Sequence, residues 1–224
     1  MTPMRRFLST LASHCASCSR PLVTRLPACT SCGSISPIPN SVPFHDLFSL
    51  PTRPNPFIVD QTLLKRRFRE AQAVCHPDSW ASKGQHNQDV AQGLSSRLNE
   101  AYNTLASPLR RAEYILGQHG LGISETDQLE DAELIMEVME TRESIDEAGD
   151  PDAVTQIMDE NAGKSGCSAF VLLIDAEKIG GIVAEMEGLV GREDWMGLKE
   201  AAVRLRYQES IASAGKEKLD KLES

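Results

Sequence analysis

The sequence predicts an all-α fold built from two helical parts. In the first part, the segment 60–75 places apolar residues at spacings of four, three and four, which is one face of an α-helix. In the second part, three segments repeat such spacings, the pattern by which antiparallel helices pack. The apolar stripes are Leu134, Val138, Thr141 and Ile145; Ile179, Val183, Met186 and Val190; and Trp195, Leu198, Ala202 and Leu205. A C-terminal three-helix bundle is therefore expected.

The N-terminal segment, residues 1–43, is not expected to build a core. The first 45 residues contain no Asp or Glu, four Arg and half of the 12 prolines. Such an acid-free segment with Arg and Ser is typical of an organellar transit peptide, because import favours a positively charged amphipathic segment. Mitochondrial import, with the matrix as destination, is the leading interpretation. A merely disordered tail is the alternative.

Four of the six cysteines occur as two Cys-x2-Cys pairs in this segment. The pairs are Cys15 with Cys18 and Cys29 with Cys32, separated by ten turn-rich residues. Two such pairs place four thiolates at the corners of a tetrahedron, the arrangement that structural zinc prefers. The alternatives are a transit peptide that happens to hold four cysteines and a redox-active dithiol pair. No other cofactor is expected to be needed for activity.

The first long helix has a basic face. At 100° per residue, Lys65, Arg66 and Arg69 project away from the apolar stripe formed by Leu64, Phe68, Ala71 and Cys75. The chain as a whole has a net charge of −9, so a basic surface on it is notable. This face predicts an acidic partner, and a solvated outer face is the alternative. The same net charge argues against nucleic acid as a partner.

The tripeptide His76, Pro77 and Asp78 follows this helix directly. Proline restricts the residue before it to extended geometry, so the helix ends and the tripeptide lies in a loop. A polar segment then leads to a second amphipathic helix, which predicts two antiparallel helices joined by a polar loop. The apolar residues of the second helix are Leu94, Leu98, Ala101, Tyr102 and Leu105. An enzymatic role for His76 is not supported, because no nucleophile, oxyanion hole or recognisable metal set accompanies it.

These features resemble the J-domain proteins, in which a His-Pro-Asp loop joins two antiparallel helices. The resemblance implies that the loop contacts a DnaK-type chaperone and that the basic face meets acidic surface on it. The chaperone-binding residues implied are His76, Pro77, Asp78, Lys65, Arg66 and Arg69. The resemblance also implies that these contacts activate the ATPase of the chaperone. Such activation requires the J-domain to bind the hydrolysis-competent state of the chaperone better than its resting state.

The rest of the chain is similar to one branch, the HscB family of J-type co-chaperones of iron-sulfur cluster assembly. The similarity lies in the run 108–116, in His119 and Gly120, and in the later segment 139–143. It covers about residues 44–160 and again 176–222. Animal members also carry an N-terminal tetracysteine segment, which fits the two cysteine pairs.

A second apolar set, Ile135, Met136 and Met139, lies opposite the core stripe of its helix, and Tyr207 is far from the seam of its own helix. Adaptable Met beside a large aromatic residue is common in binding surfaces. The HscB resemblance assigns scaffold-protein binding to Ile135, Met136, Met139, Glu140, Glu143, Glu147 and Tyr207. Residues 125–160 contain fourteen acidic residues and one basic residue, which favours a basic partner. The alternative is that Ile135 and Met136 pack beneath the J-domain.

One segment, 162–175, interrupts the helix expected from Ala153 to Val190 and does not fit the helical pattern on either side of it. Its removal would restore a continuous helical pattern, so an insertion is expected here, either a surface loop or retained intron sequence. The domains expected are 1–43, a transit or tetracysteine segment; 44–120, a J-domain with its linking helix; and 121–224, a scaffold-binding bundle. No stretch approaches the roughly 18 apolar residues of a membrane span.

The function expected is that of a non-enzymatic adaptor. It would stimulate the ATPase of a mitochondrial DnaK-type chaperone and deliver the iron-sulfur scaffold protein to it. Two alternatives remain: a general J-domain co-chaperone for unfolded clients, and a zinc-ribbon regulatory protein.

Overall fold

The described part of the chain is all-α, as predicted. The structure is a computed structural model that describes residues 13–124, 132–161 and 171–223, with only the backbone described at 132–134, 160–161 and 171–178. The helices are α1 (Phe44–Leu47), α2 (Gln61–Cys75), a 3-10 helix (Pro77–Lys83), α3 (Gln85–Ala106), α4 (Pro108–Gln118), α5 (Ala132–Glu147), α6 (Pro151–Asn161), α7 (Val171–Gly191) and α8 (Trp195–Leu222). Among these helices, none has the length and apolar character needed to cross a bilayer.

Contacts divide the chain into two units, with the boundary between Arg111 and Ala112. In the first unit, α2 and α3 form an antiparallel pair. Phe68 stacks on Tyr102 with ring centroids 4.3 Å apart, and Gln72 Nε2 donates to Asn99 Oδ1 at 2.8 Å. Later residues of α2 therefore meet earlier residues of α3. Asp60 directly precedes α2, and its carboxylate accepts a hydrogen bond from the Leu63 N–H and so caps the helix.

Residues 13–43 share the hydrophobic core of this unit instead of forming a separate body. Their buried apolar side chains pack in one cluster with those of α1, α2 and α3. They are Leu26, Ala28, Ile35, Ile38 and Val42. The guanidinium of Arg97 on α3 donates to the carbonyl oxygens of Asn40 and Val42 at 2.8 and 2.9 Å. The cysteine segment is thus attached to the helical pair by apolar packing and by hydrogen bonds.

The second unit is a helical bundle. Val138 and Ile145 of α5 are buried with Val154 and Met158 of α6 and Ile211 of α8. The helices α7 and α8 are joined by residues 192–194 and pack along each other, since so short a connection makes antiparallel neighbours. The predicted stripe residues buried here are Val138, Ile145, Met186, Val190, Leu198, Ala202 and Leu205. The side chain of Leu134 lies outside the described residues.

The helix expected from Ala153 to Val190 is two helices, α6 and α7. Most of the predicted insertion, residues 162–170, lies outside the described residues. Residues 171–175, the remainder of that segment, belong to α7.

Candidate functional site

The His-Pro-Asp tripeptide lies where α2 ends. His76 has extended geometry, with φ −61° and ψ 127°, as expected of a residue that precedes proline, and Pro77 opens the 3-10 helix. The Asp78 N–H donates to His76 Nδ1 at 3.3 Å, and Asp78 Oδ2 lies 3.6 Å from the same nitrogen. The two side chains are 55% and 88% exposed. The loop is therefore held by its own backbone while both polar groups face solvent.

Trp80 anchors this loop from inside. Its side chain is 1% exposed, and its indole N–H donates to the Val74 carbonyl at 2.9 Å. The Val74 carbonyl belongs to the last turn of α2, where carbonyl groups have no partner within the helix. The indole thus satisfies an otherwise unpaired acceptor and fixes the 3-10 helix against the end of α2.

The predicted basic face is exposed on α2. Lys65, Arg66 and Arg69 are all exposed, and together with Gln61 and Thr62 they line a shallow depression. An acidic residue, Glu70, lies at its edge and pairs with Arg66 at 3.9 Å. Within the described residues, no ion pair joins Lys65 or Arg69. Two cations of the face are therefore available to an acidic partner.

The four N-terminal cysteines form a compact cluster, with all four Sγ atoms within 4.8 Å of one another. The Sγ atoms of Cys15 and Cys32 lie 3.6 Å apart, and those of Cys18 and Cys29 lie 3.7 Å apart. Four sulfurs around a tetrahedral zinc at about 2.3 Å lie about 3.8 Å from one another. The cluster therefore fits a four-coordinate zinc, and the prediction that these residues come together is confirmed.

The two cysteine turns repeat the same backbone geometry. In the first, the Ser19 N–H donates to the Cys15 carbonyl at 2.9 Å; in the second, the Gly33 N–H donates to the Cys29 carbonyl at 3.0 Å. Ser19 and Gly33 both have left-handed geometry, with φ 57° and 70°. An isolated bridge flanks each turn, His14 with Pro21 and Ala28 with Ile35. Two equivalent turns thus supply two ligands each.

Backbone amides around the cluster favour thiolates at two positions. The N–H of Cys32, followed by that of Ser31, lowers the pKa of Cys29 from 9.0 to about 6. The N–H groups of Cys18 and Ser17 lower the pKa of Cys15. The backbone N–H of Ser34 acts in the same sense on Cys32, but the neighbouring thiols and burial outweigh it and raise the pKa of Cys32 to about 12. Metal binding requires thiolates, so the lowered values suit a metal site.

The face assigned to scaffold binding is exposed along α5. Met136 and Met139 are 61% and 66% exposed, and Ile135 is half-buried. The carboxylates of Glu140, Glu143 and Glu147 are exposed along the same helix. Tyr207 on α8 is half-buried and packs against the cluster that contains Val138 and Ile145. Tyr207 is therefore partly built into the core that α5, α6 and α8 share, and is less exposed than the two methionines.

Two residues that support the loop, Trp80 and Lys83, were not predicted from the sequence. The ammonium of Lys83 lies 4.0 Å from the centroid of the Trp80 ring. A large aromatic residue within the polar segment that follows the tripeptide is the signal that marks Trp80. No pattern in the sequence marks Lys83, because it also lies beside Gly33, which comes from a distant part of the chain.

Comparisons with known proteins agree with this geometry. A model of the HSCB C-terminal oligomerisation domain matches residues 130–166. The iron-sulfur cluster co-chaperone protein HscB homolog of Arabidopsis thaliana is 32% identical over 152 residues, 67% of this chain and 59% of that protein. The chain thus spans less than two thirds of this relative's length. The crystal structure of human co-chaperone protein HscB is 25% identical, with TM-score 0.71, and the match covers 94% of this chain and 100% of the human chain. The chaperone HscB from Vibrio cholerae is 26% identical, with TM-score 0.61 over 81% of this chain and 99% of its own.

An antiparallel helical pair with an exposed His-Pro-Asp loop, followed in the chain by a helical bundle, defines a J-type co-chaperone. The family model, the plant relative and both solved structures point to one branch of that class. Together they support an HscB-type co-chaperone. This confirms the resemblance found in the sequence, and with it the expectation of a co-chaperone that is not an enzyme.

Proposed function

We propose that this chain is a J-type co-chaperone of mitochondrial iron-sulfur cluster assembly. It stimulates the ATPase of a mitochondrial DnaK-type chaperone and delivers the cluster scaffold protein to it. The observation that carries the proposal is the exposure of His76 and Asp78, at 55% and 88%, at the end of the helix that bears the basic face. The acid-free, Arg-containing N-terminus supports a mitochondrial destination.

The mechanism is a shift of equilibrium in the chaperone. A bound protein changes the balance between two states only by its difference in affinity for them. His76, Pro77 and Asp78 supply directional contacts, while Lys65 and Arg69 supply charge that attracts an acidic surface. The chain takes part in no bond making, and ATP hydrolysis belongs to the chaperone.

Single-turnover ATP hydrolysis by the mitochondrial DnaK-type chaperone tests this proposal. Wild-type chain accelerates hydrolysis, and His76→Gln leaves it at the unstimulated rate. His86→Gln, which changes an exposed histidine on α3, is the matched control and keeps full stimulation. Equal stimulation by the His76 and His86 variants contradicts the assignment of the loop.

The scaffold protein is proposed to bind the exposed face of α5. Two adjacent exposed methionines, flanked by Glu140, Glu143 and Glu147, offer adaptable apolar contact beside negative charge. The partner's surface is therefore apolar at its centre and basic at its edge. Burying one such methionine contributes about 1.5 kcal/mol or more, which is about tenfold in affinity.

Calorimetric titration with the scaffold protein tests this face. Met136→Ser combined with Met139→Ser weakens binding by about 100-fold, about tenfold for each methionine. Met196→Ser on α8 removes an equally exposed methionine, 58% exposed, and leaves binding unchanged. If the double variant binds scaffold normally, or if denatured clients bind and scaffold does not, a general J-type co-chaperone is the better description.

Zinc is proposed as the structural ion of the cysteine cluster, held by Cys15, Cys18, Cys29 and Cys32. When bound, it replaces weak thiol contacts with four metal-sulfur bonds and so stabilises the two turns. Elemental analysis of purified protein tests the site. One zinc per chain is expected, and Cys29→Ser reduces the content sharply, whereas Cys75→Ser, a buried cysteine outside the cluster, does not.

A further inference from the structure

The second cysteine turn touches the segment that follows the His-Pro-Asp loop. The aliphatic part of the Lys83 side chain lies beside Gly33, since a Cβ built on Gly33 would be in ordinary van der Waals contact with it, 3.5 Å from Lys83 Cδ and 3.8 Å from Cε. Gly33 directly follows the cluster ligand Cys32, and its N–H donates to the carbonyl of Cys29, another ligand. The Lys83 side chain thus lies beside the turn that carries half of the cluster.

The same lysine also contacts the anchor of the loop. Its ammonium lies 4.0 Å from the centroid of the Trp80 ring, within the range of a cation–π interaction. Trp80 is buried and donates to the Val74 carbonyl, two residues before His76. A continuous series of contacts therefore runs from the cysteine cluster through Lys83 and Trp80 to the loop.

Gly33 suits this contact for two reasons. Its φ of 70° is left-handed, which favours glycine, and a side chain longer than a single methyl group would meet the Lys83 stem, which lies 3.5 Å from a built Cβ. Lys83 ends the 3-10 helix, and its carbonyl accepts a hydrogen bond from Asn87 Nδ2 at 2.8 Å. The backbone of Lys83 is thus fixed to α3 while its side chain spans from the cysteine turn to the indole.

We propose that Lys83 is a positioning residue that couples metal loading of the cysteine cluster to the geometry of the His-Pro-Asp loop. Zinc fixes the second turn, the turn holds the Lys83 stem, and the ammonium holds Trp80 beneath the loop. The expected effect on activity rests on the proposed function: zinc-loaded protein stimulates the chaperone better than metal-free protein. Coupling between binding sites is reciprocal, so the factor by which zinc tightens chaperone binding, about fivefold or more, is also the factor by which the chaperone tightens zinc binding.

Trp80 fluorescence tests the coupling without any chaperone. The chain has two tryptophans, so Trp195→Phe leaves Trp80 as the only indole reporter in the full chain. Titration of metal-free protein with zinc changes the Trp80 emission and saturates at one zinc per chain. Adding Lys83→Ala leaves zinc binding intact, as measured by competition with a coloured chelator, but removes the emission change. Lys83→Arg restores the change, and Lys216→Ala, an exposed lysine on α8, has no effect.

The inference is overturned if zinc changes Trp80 emission equally with and without the Lys83 side chain. That outcome includes the case in which metal-free protein unfolds, because emission would then respond to zinc in both variants. A zinc titration that leaves Trp80 emission unchanged in the Trp195→Phe background also overturns it.

The chaperone assay separates this inference from the proposed function. At a chain concentration below saturation, zinc-loaded wild type is expected to stimulate single-turnover ATP hydrolysis more than metal-free wild type, because about fivefold tighter binding puts more of the chaperone in the complex. With Lys83→Ala, the two forms stimulate equally. If wild-type protein stimulates in neither form, the proposed function fails while the fluorescence result still decides the role of Lys83. If zinc leaves wild-type stimulation unchanged, the link from Lys83 to the loop's activity is refuted.

Discussion

Replacing Trp80 with Phe is expected to destabilise the first unit measurably. Phe keeps an aromatic ring in the core but has no N–H, so the Val74 carbonyl loses the donor that lies 2.9 Å from it. This carbonyl is in the last turn of α2 and has no partner within the helix. Leaving a buried acceptor unpaired costs about 1–3 kcal/mol.

Two smaller losses add to this cost. The Phe ring is smaller than the indole and leaves a void in a position that is only 1% exposed. The interaction with the Lys83 ammonium weakens as well, because Trp is the best cation–π partner. The free energy of unfolding should therefore fall by about 2–4 kcal/mol in total. Urea denaturation followed by far-UV circular dichroism measures it, and at slopes of about 1–3 kcal/mol per molar the midpoint falls by about 1 M or more.

The matched control is Trp195→Phe. Trp195 is half-buried, and its ring stacks on exposed His119 with centroids 3.9 Å apart, so a Phe ring retains much of the contact. Its midpoint is expected to change by less than that of the Trp80 variant. If Trp80→Phe unfolds at the wild-type urea concentration, the hydrogen bond to Val74 does not stabilise the loop and the reasoning is wrong.

Three further predictions concern single residues. Burial lowers the pKa of His45 below 6.5, against the opposing hydrogen bond to the Pro56 carbonyl, so the unfolded chain binds more protons below pH 6.5. The free energy of unfolding should therefore fall as pH drops from about 6.5 toward the folded pKa, and it should fall less in His45→Gln. If the free energy of unfolding depends on pH equally in the variant and in wild type, this prediction is wrong. Burial raises the pKa of Cys75 to about 12, so iodoacetamide at pH 8 should label this thiol, detected by peptide mass spectrometry, only after urea unfolds the chain. Asp60→Ala removes the cap of α2 and should cost about 1 kcal/mol in thermal unfolding, whereas Asp60→Asn, which keeps a capping oxygen, should cost a few tenths; equal losses would exclude capping as the cause.

Local sequence pattern predicted the helices that carry or adjoin the residues that are proposed to bind the chaperone. The spacing of Leu64, Ala71 and Cys75 gave the buried side of α2, and Pro77 gave its end, because both depend on residues close in the chain. The same reasoning placed the basic residues outward. It also predicted that the four cysteines form one cluster, since the spacing within each Cys-x2-Cys pair is a local property.

Contacts between distant segments could not be predicted in this way. The N-terminal segment was not expected to build a core, because it has no acidic residue and is rich in Arg, Ser and Pro, yet Leu26 and Ile35 are buried against helices that lie far along the chain. The contact of Lys83 with Gly33 joins positions that no periodicity relates. Tyr207 was expected on an exposed face, and it is half-buried because the neighbouring α5 packs over part of α8.

The His-Pro-Asp loop is proposed to bind one nucleotide state of a partner chaperone more tightly than the other. The most direct measurement is the affinity of the full chain for a hydrolysis-deficient DnaK-type chaperone, determined by fluorescence anisotropy in ATP and then in ADP. We predict tighter binding in ATP, with the preference lost in Asp78→Asn and retained in Asp89→Asn, which changes an exposed carboxylate on α3. Equal affinity for the two nucleotide states, or an undiminished preference in Asp78→Asn, would contradict the account.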